Sequence, residues 1–311
     1  MKLQALLKRC IPIISILFFA VFLWILKQEL GQYSFSDINA SLSAVTKRKL
    51  NLAILLTIIG YFVISHYDKI VFLADEYPLK NRKILTTTFI SYAVCNNLGF
   101  TLLIGGSIRY YFYNYYRVPK KTIAKTIAFS NLNFWLGLFA VGGITFMIHP
   151  VAIPQFLQIR FLTVRPLGSI FLILISIYLY CSYQKIALTF KGKTLVIPRL
   201  SISLAQIMVS ALDWAIASAV LYVLLPTSSN LSYGAFFGIY LLAITAKVIS
   251  NVPGGLGIFE TVIIYFLPQP IIPTDALGSL LAYRGIYFLL PLFTSLILLG
   301  LYEIKKIIND K

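Results

Sequence analysis

Six ionisable residues lie within or at the edge of stretches that are otherwise apolar: Asp68, Arg109, Asp213, Lys247, Glu260 and Arg284. One unpaired charge at the centre of a bilayer costs about 2.5–3.5 kcal/mol on insertion scales. These residues are therefore expected to face the protein interior and to meet one another. Three are acidic and three basic, which permits full neutralisation, and an ion-pair network that only holds helices together is the plain alternative to a binding site. The acid Glu260 ends the segment Ser250-Asn-Val-Pro-Gly-Gly-Leu-Gly-Ile-Phe-Glu260. A Pro-Gly-Gly break inside apolar sequence leaves backbone groups that lipid cannot satisfy, so protein or a water-filled cavity must cover it.

The chemistry open to this break is recognition of a charged head group. Glu260 falls in the first turn of a half-helix starting near Ile258, where the helix dipole favours a carboxylate. The N–H groups of Gly254, Gly255 and Gly257 at the same helix end suit a phosphate. Glu260 would meet a cationic group or pair with Arg284. A zwitterionic or aminoacylated phospholipid carries both charges. Arg109 comes three residues after the pair Gly105-Gly106 and opens the run Arg109-Tyr-Tyr-Phe-Tyr-Asn-Tyr-Tyr-Arg117, whose tyrosines read mainly as an interfacial belt. In the last apolar run Gly285, beside Arg284, is expected to admit a neighbouring helix, and Tyr287 to share a face with Tyr283. Asp213, beside Trp214 in mid-span, needs a partner from another helix. Asp68 adjoins Lys69 near a helix end, where snorkelling accounts for both.

The elements that must position these residues are membrane helices. The chain is 311 residues long, 59% hydrophobic and 12% charged, which excludes a soluble domain. Runs long enough to span, or nearly so, are Ile11–Leu26, Leu50–Leu73, Ile84–Ile104, Thr122–Ile148, Leu167–Cys181, Ser201–Leu225, Leu231–Ile249 and Leu280–Tyr302, with a shorter run at Ile258–Leu267. The first follows Lys8 and Arg9 and lacks a small-residue cleavage site, so it reads as a retained span. No loop is long enough to form a soluble domain. The reading is one transmembrane domain over residues 1–311: an all-α, polytopic integral membrane protein. It has about eight membrane-embedded helices and one or two broken or re-entrant segments, near 96–106 and 251–267.

The net charge of +17 resides in short loops. Nucleic acid is excluded as a partner. Anionic lipid head groups fit, as does the simpler role of setting topology. If every long run crosses and the N-terminus is cytoplasmic, eleven Lys and Arg lie inside and thirteen outside, against the positive-inside tendency. If Ile84–Gly106 enters and returns on one side, turning at Asn96-Asn97-Leu98-Gly99, the counts become eighteen and six. Both termini are then cytoplasmic. Two interrupted segments in two halves point towards an inverted-repeat transporter.

Other chemistries find no support. Cys10, Cys95 and Cys181 are far apart, and His66 and His149 form no metal motif. No Walker, Rossmann or nucleophile-elbow pattern occurs, so the chain reads as neither an enzyme nor a cofactor binder.

Five motifs occur in order: Asn97-Leu-Gly-Phe100, Gly105-Gly-Ser-Ile-Arg-Tyr110, Asp213-Trp214, Val252-Pro-Gly-Gly-Leu-Gly-Ile-Phe-Glu260, and Tyr283-Arg284 through Leu290-Pro-Leu292. Together they resemble the lysylphosphatidylglycerol synthase transmembrane region, the flippase-like membrane part of the multiple peptide resistance factor, over roughly residues 10–305. A Glu is common in relatives where Asp213 stands. The resemblance implies re-entrant segments, a lipid-translocation role in the bacterial cytoplasmic membrane, and a lipid-binding cavity at Arg109, Glu260 and Arg284. Asn97, Gly254, Gly255 and Gly257 belong to the same motifs, while Asp213, Lys247 and Asp68 are structural or coupling charges. The full-length factor adds an aminoacyl-transferase domain and this chain ends at Lys311, so lysine attachment is not expected of it. The partner is thus a membrane phospholipid or lipid-linked substrate. The alternative is a non-transporting scaffold for a separate lipid-modifying enzyme or glycosyltransferase.

Overall fold

The computed structural model describes residues 45–98, 101–153, 163–190, 193–228, 230–250, 257–269, 271 and 273–309. The expected span Ile11–Leu26, and Gly254 and Gly255, lie outside the described residues. The bundle is all-α. In chain order the helices are α1 (Lys47–Ile64), α2 (Tyr67–Ala74), α3 (Asn81–Leu98), α4 (Thr101–Tyr115), α5 (Lys120–Ile148) and α6 (Arg165–Tyr183). They continue as α7 (Leu200–Leu224), α8 (Tyr233–Ser250), α9 (Ile258–Phe266), α10 (Pro273–Tyr283), a π-helical segment (Arg284–Leu289) and α11 (Leu290–Asn309). Between α6 and α7, β1 (Ala187–Phe190) and β2 (Lys193–Val196) form an antiparallel hairpin outside the bundle. Among the described residues, six stretches are long and apolar enough to cross a membrane.

These helices lack a polar face because their outer surface meets lipid. Phe62, Ile177, Met208 and Ile297 are each exposed, a pattern suited to hydrocarbon rather than water. Hydroxyls inside the spans are satisfied locally: Thr57, Thr88, Thr126, Ser210 and Thr245 each donate to the carbonyl four residues earlier. Inside, one core joins Tyr61, Trp214, Tyr240, Phe259, Tyr283 and Tyr287.

The segment expected to be re-entrant is a helical hairpin. The helix ending at Leu98 is followed by one starting at Thr101, and Ser91 Oγ donates to Gly105 O at 3.1 Å. Residues 14 apart in a straight helix would be separated by about 21 Å. Gly105 makes the fold-back possible, because a Cβ there would lie 2.8 Å from Cys95 Sγ and 3.1 Å from Ser91 Oγ. Gly137, Gly142 and Gly143 serve packing within the fold, against Trp214, Phe171 and Leu172 respectively.

Contacts between helix ends sort the loops onto two faces. On one face Asp75 Oδ1 meets Lys125 at 2.5 Å, Tyr77 OH donates to Arg117 O at 3.3 Å, and Arg199 reaches Glu76 at 3.9 Å. The hydrogen bond from Tyr111 to Glu303 brings the end of α11 to the same face. On the other, Lys49 donates to Leu225 O at 2.5 Å, Ser279 to Leu224 O at 3.0 Å, and Asn230 to Gln269 O at 3.3 Å. The second broken segment therefore returns to the face from which α8 departs. The basic loops 75–83, 116–125 and 184–199 share a single face, as the hairpin reading requires.

Candidate functional site

Two charge clusters are built where helices break. The first lies just past the α1–α2 junction at Ser65-His66, where Asp68 is buried. Asp68 is fully buried rather than snorkelling, contrary to expectation, and pairs with Arg109, itself only 1% exposed. Arg109 Nε donates to Asp68 Oδ2 at 2.9 Å and Oδ1 at 3.1 Å, and Nη1 donates to Ser91 Oγ at 2.6 Å. The guanidinium lies 4.8 Å from the Tyr92 ring centre. Tyr113 OH and Ser130 Oγ donate to the same carboxylate at 2.7 and 3.1 Å. Asp68, on α2, thus accepts from two side chains of α4 and one of α5, which ties the first hairpin to the bundle. Tyr113 is buried, not part of an interfacial belt.

The second cluster lies where α9 meets the π-helical turn. Gly257 precedes α9 with φ +79°, a conformation that disfavours any side chain bearing a Cβ. Its N–H donates to Glu260 Oε2 at 3.0 Å. This Gly257 N–H, expected to suit a phosphate, is therefore occupied by the carboxylate of its own helix. Glu260 Oε1 accepts from Arg284 Nε at 2.9 Å and also from Nη2. Arg284 opens the π-helical segment, in which the i→i−4 ladder is interrupted. Asn97 Nδ2, at the tip of the first hairpin, donates to Phe288 O in that turn at 3.0 Å. Among the described residues a Cβ added at Gly285 would meet nothing within 4 Å, so the close helix approach expected there is not seen among them.

The structure thus gathers Asn97, Glu260, Gly257 and Arg284 around one π-helical turn and keeps Arg109 in a separate cluster. The two also differ in access: the Arg284 side chain is 25% exposed, that of Arg109 1%. Arg284 lies nine residues beyond Asp275, about 13 Å along the apolar stretch Asp275–Ile304.

Asp213 finds its partner in Tyr67, whose OH donates to Oδ2 at 2.8 Å, while Trp214 Nε1 donates to Phe134 O at 3.3 Å. Among the described residues no ion pair includes Asp213, so full neutralisation is not reached through it. Lys247 is half-buried in the last turn of α8, and its carbonyl accepts from Ser250 Oγ at 2.8 Å. An aromatic column runs beside the second cluster: Tyr61 meets Tyr287 at 5.6 Å, Tyr287 stacks on Tyr283 at 5.2 Å, and Tyr283 OH bonds Tyr240 OH at 2.9 Å. Ser91, Tyr92, Tyr113 and Ser130 escaped the sequence reading. Tyr113, four residues after Arg109 and so on the same helix face, was the one with a signal. No group of His, Cys, Asp and Glu suited to a metal occurs among the described residues.

Comparison with known proteins agrees with this architecture. The chain is 42% identical over 285 residues to the uncharacterized protein slr0712 of Synechocystis sp., covering 90% of this chain and 88% of that protein. It is 32% identical over 255 residues to the inner membrane protein YbhN of Escherichia coli, covering 81% and 79%. It is 24% identical over 299 residues to phosphatidylglycerol lysyltransferase of Staphylococcus aureus, covering 96% of this chain and 34% of the enzyme. The match to the family described as the lysylphosphatidylglycerol synthase TM region runs over residues 13–294. The chain belongs to that family of multi-pass membrane proteins.

Proposed function

We propose that the protein moves a phospholipid, or a related lipid-linked head group, across the cytoplasmic membrane at the Glu260–Arg284 site. The observation that carries this reading is an ion pair within the apolar helices whose guanidinium, Arg284, is a quarter exposed while its carboxylate, Glu260, is buried, held at a π-helical turn that the first hairpin also reaches. An isolated structural pair has no need of exposure, and the Asp68–Arg109 pair shows what a sealed one looks like. A head group bearing phosphate and amine can exchange partners with both residues, phosphate to Arg284 and amine to Glu260. Arg109 then positions the first hairpin, whose tip carries Asn97, rather than touching the lipid.

The acyl chains also have a place. A groove of about 380 Å³ opens between α1, α3 and α11, lined by Ile58, Phe62, Leu85, Phe89 and Leu298. Its hydroxyls at Thr57, Ser65 and Thr294 donate to carbonyls of their own helices, which with Thr86 leaves a mostly apolar lining. Tyr61 forms part of its wall and leads to Tyr287 and the π-helical turn. The family membership supports a role in membrane lipid biology, and the basic face fits the cytoplasmic side. The chain acts as a carrier and not as an enzyme. Native mass spectrometry of detergent-extracted protein tests the site. Wild type is expected to retain phospholipid that Glu260→Gln and Arg284→Ala lose. Equal retention by all three would remove the site from the reading.

A further inference from the structure

The described structure buries three carboxylates, Asp68, Asp213 and Glu260, and two of them face a guanidinium. Asp213 does not. Its Oδ2 accepts from Tyr67 OH at 2.8 Å, while its Oδ1 has no hydrogen-bond partner, although the residue is only 9% exposed. It lies thirteen residues into α7, about 20 Å along a helix about 37 Å long, and so in mid-membrane. A bare carboxylate oxygen has no solvation there. A metal cation would need several oxygen ligands, and no metal-binding group is present among the described residues. A proton on Oδ1 removes the charge whose burial is most costly there.

The surroundings suit a proton. Around Asp213, Tyr67 from α2 donates to its carboxylate, Tyr92 from α3 packs on Tyr67, Tyr240 from α8 packs on the adjacent Trp214, and Tyr61 from α1 and Tyr287 from the π-helical segment pack on each other in the same core. On α5, Phe134 packs on the neighbouring Trp214. Tyr178 from α6 meets Gln206, two turns away, and Tyr283 from α10 lies behind Tyr240. None of these groups is a cation. The site also touches both clusters. The Tyr67 ring packs on Tyr92 at 5.4 Å, and Tyr92 lies under Arg109. On the opposite side, Tyr240 and Tyr287 lead through Tyr283 to Arg284.

We propose that Asp213 is a reversible proton-binding site that couples lipid movement to protonation. This rests on the lipid-moving reading and extends it. A proton from water adds to Oδ1 to give the neutral acid, and leaves to water when the cycle reverses. Neutral Asp213 can donate as well as accept, so Tyr67 can turn its hydroxyl, and the change reaches both charge clusters through the tyrosines.

The test reconstitutes the protein in vesicles of phosphatidylglycerol and phosphatidylethanolamine with fluorescent analogues of each, and follows lipid movement at a series of pH values. Wild type is expected to vary with pH along a one-proton limb, by no more than about tenfold per pH unit. Asp213→Asn should lose that dependence and Asp213→Glu should retain it. The same pH dependence in wild type and Asp213→Asn would overturn the proposal. Infrared difference spectra of the same vesicles between high and low pH read the proton directly. A protonated-carboxyl band present in wild type and missing from Asp213→Asn supports the site even if no lipid moves, in which case the transport reading alone falls. A band unchanged by Asp213→Asn, or absent from wild type, overturns the site.

Discussion

Replacing Asp68 by Asn tests how the first hairpin is held. The change preserves shape but removes the charge that faces Arg109, and it puts an amide donor where Arg109, Tyr113 and Ser130 all donate. Arg109 is 1% exposed, so water cannot replace the lost partner. Removing one member of a buried pair costs about 3–5 kcal/mol, because the other charge is left uncompensated. At about 1.4 kcal/mol per tenfold, that is a loss of roughly two to three and a half decades in the folding equilibrium. Substituting both members by apolar residues of similar volume removes the uncompensated charge and is often neutral or stabilising by about 1–4 kcal/mol. Equilibrium unfolding in mixed detergent and lipid micelles would compare Asp68→Asn, Asp68→Leu, Arg109→Met and the Asp68→Leu/Arg109→Met double variant. The single variants should each fall by several kcal/mol, and the double should recover most of the loss. Singles within about 1 kcal/mol of wild type, or a double no better than either, would refute a sealed pair as the hairpin's anchor.

Three further outcomes follow from particular residues. Gly257→Ala forces a Cβ into a left-handed conformation at φ +79° and should cost about 1–2 kcal/mol in the same unfolding assay; a neutral change would mean that the turn relaxes freely. Gly105→Val should separate α3 from α4, because even a Cβ would lie 2.8 Å from Cys95 Sγ, and should therefore increase labelling of Cys95 by a small maleimide; unchanged labelling would argue against close approach there. Single cysteines at Lys121 and Lys185 should label from one side of sealed vesicles, and those at Ser228 and Gln269 from the other. Lys121 and Lys185 labelling from opposite sides would undo the hairpin topology.

The two breaks were legible because Asn, Gly and Pro are conspicuous in apolar runs, and because loop charges are sorted by the membrane. Asp213's need for a partner on another helix was legible too, since a carboxylate in mid-span cannot be satisfied by its own helix. The identity of partners was not. Asp68 and Arg109 are 41 residues apart on different helices, so their meeting is set by tertiary packing that no local residue announces. The π-helical turn at Arg284 is equally silent, because its stability comes from contacts such as Asn97 to Phe288 O, 191 residues apart. The role of Gly285 is hard to read for the same reason: a glycine in a span is ambiguous until the helix geometry around it is known. The separation of Arg109 from Arg284 is likewise tertiary, for both follow or precede glycines and look alike in sequence.

The central claim is that lipid crosses the membrane at Glu260 and Arg284. The most direct measurement follows quenching of inner-leaflet fluorescent phosphatidylglycerol and phosphatidylethanolamine by an impermeant reductant in proteoliposomes. Wild type should expose inner-leaflet label that empty vesicles protect. Glu260→Gln and Arg284→Ala should reduce that rate by about tenfold or more, the effect of losing one charge-assisted contact. Wild-type movement left intact in both variants, or no movement by folded wild type with either lipid, would contradict the account.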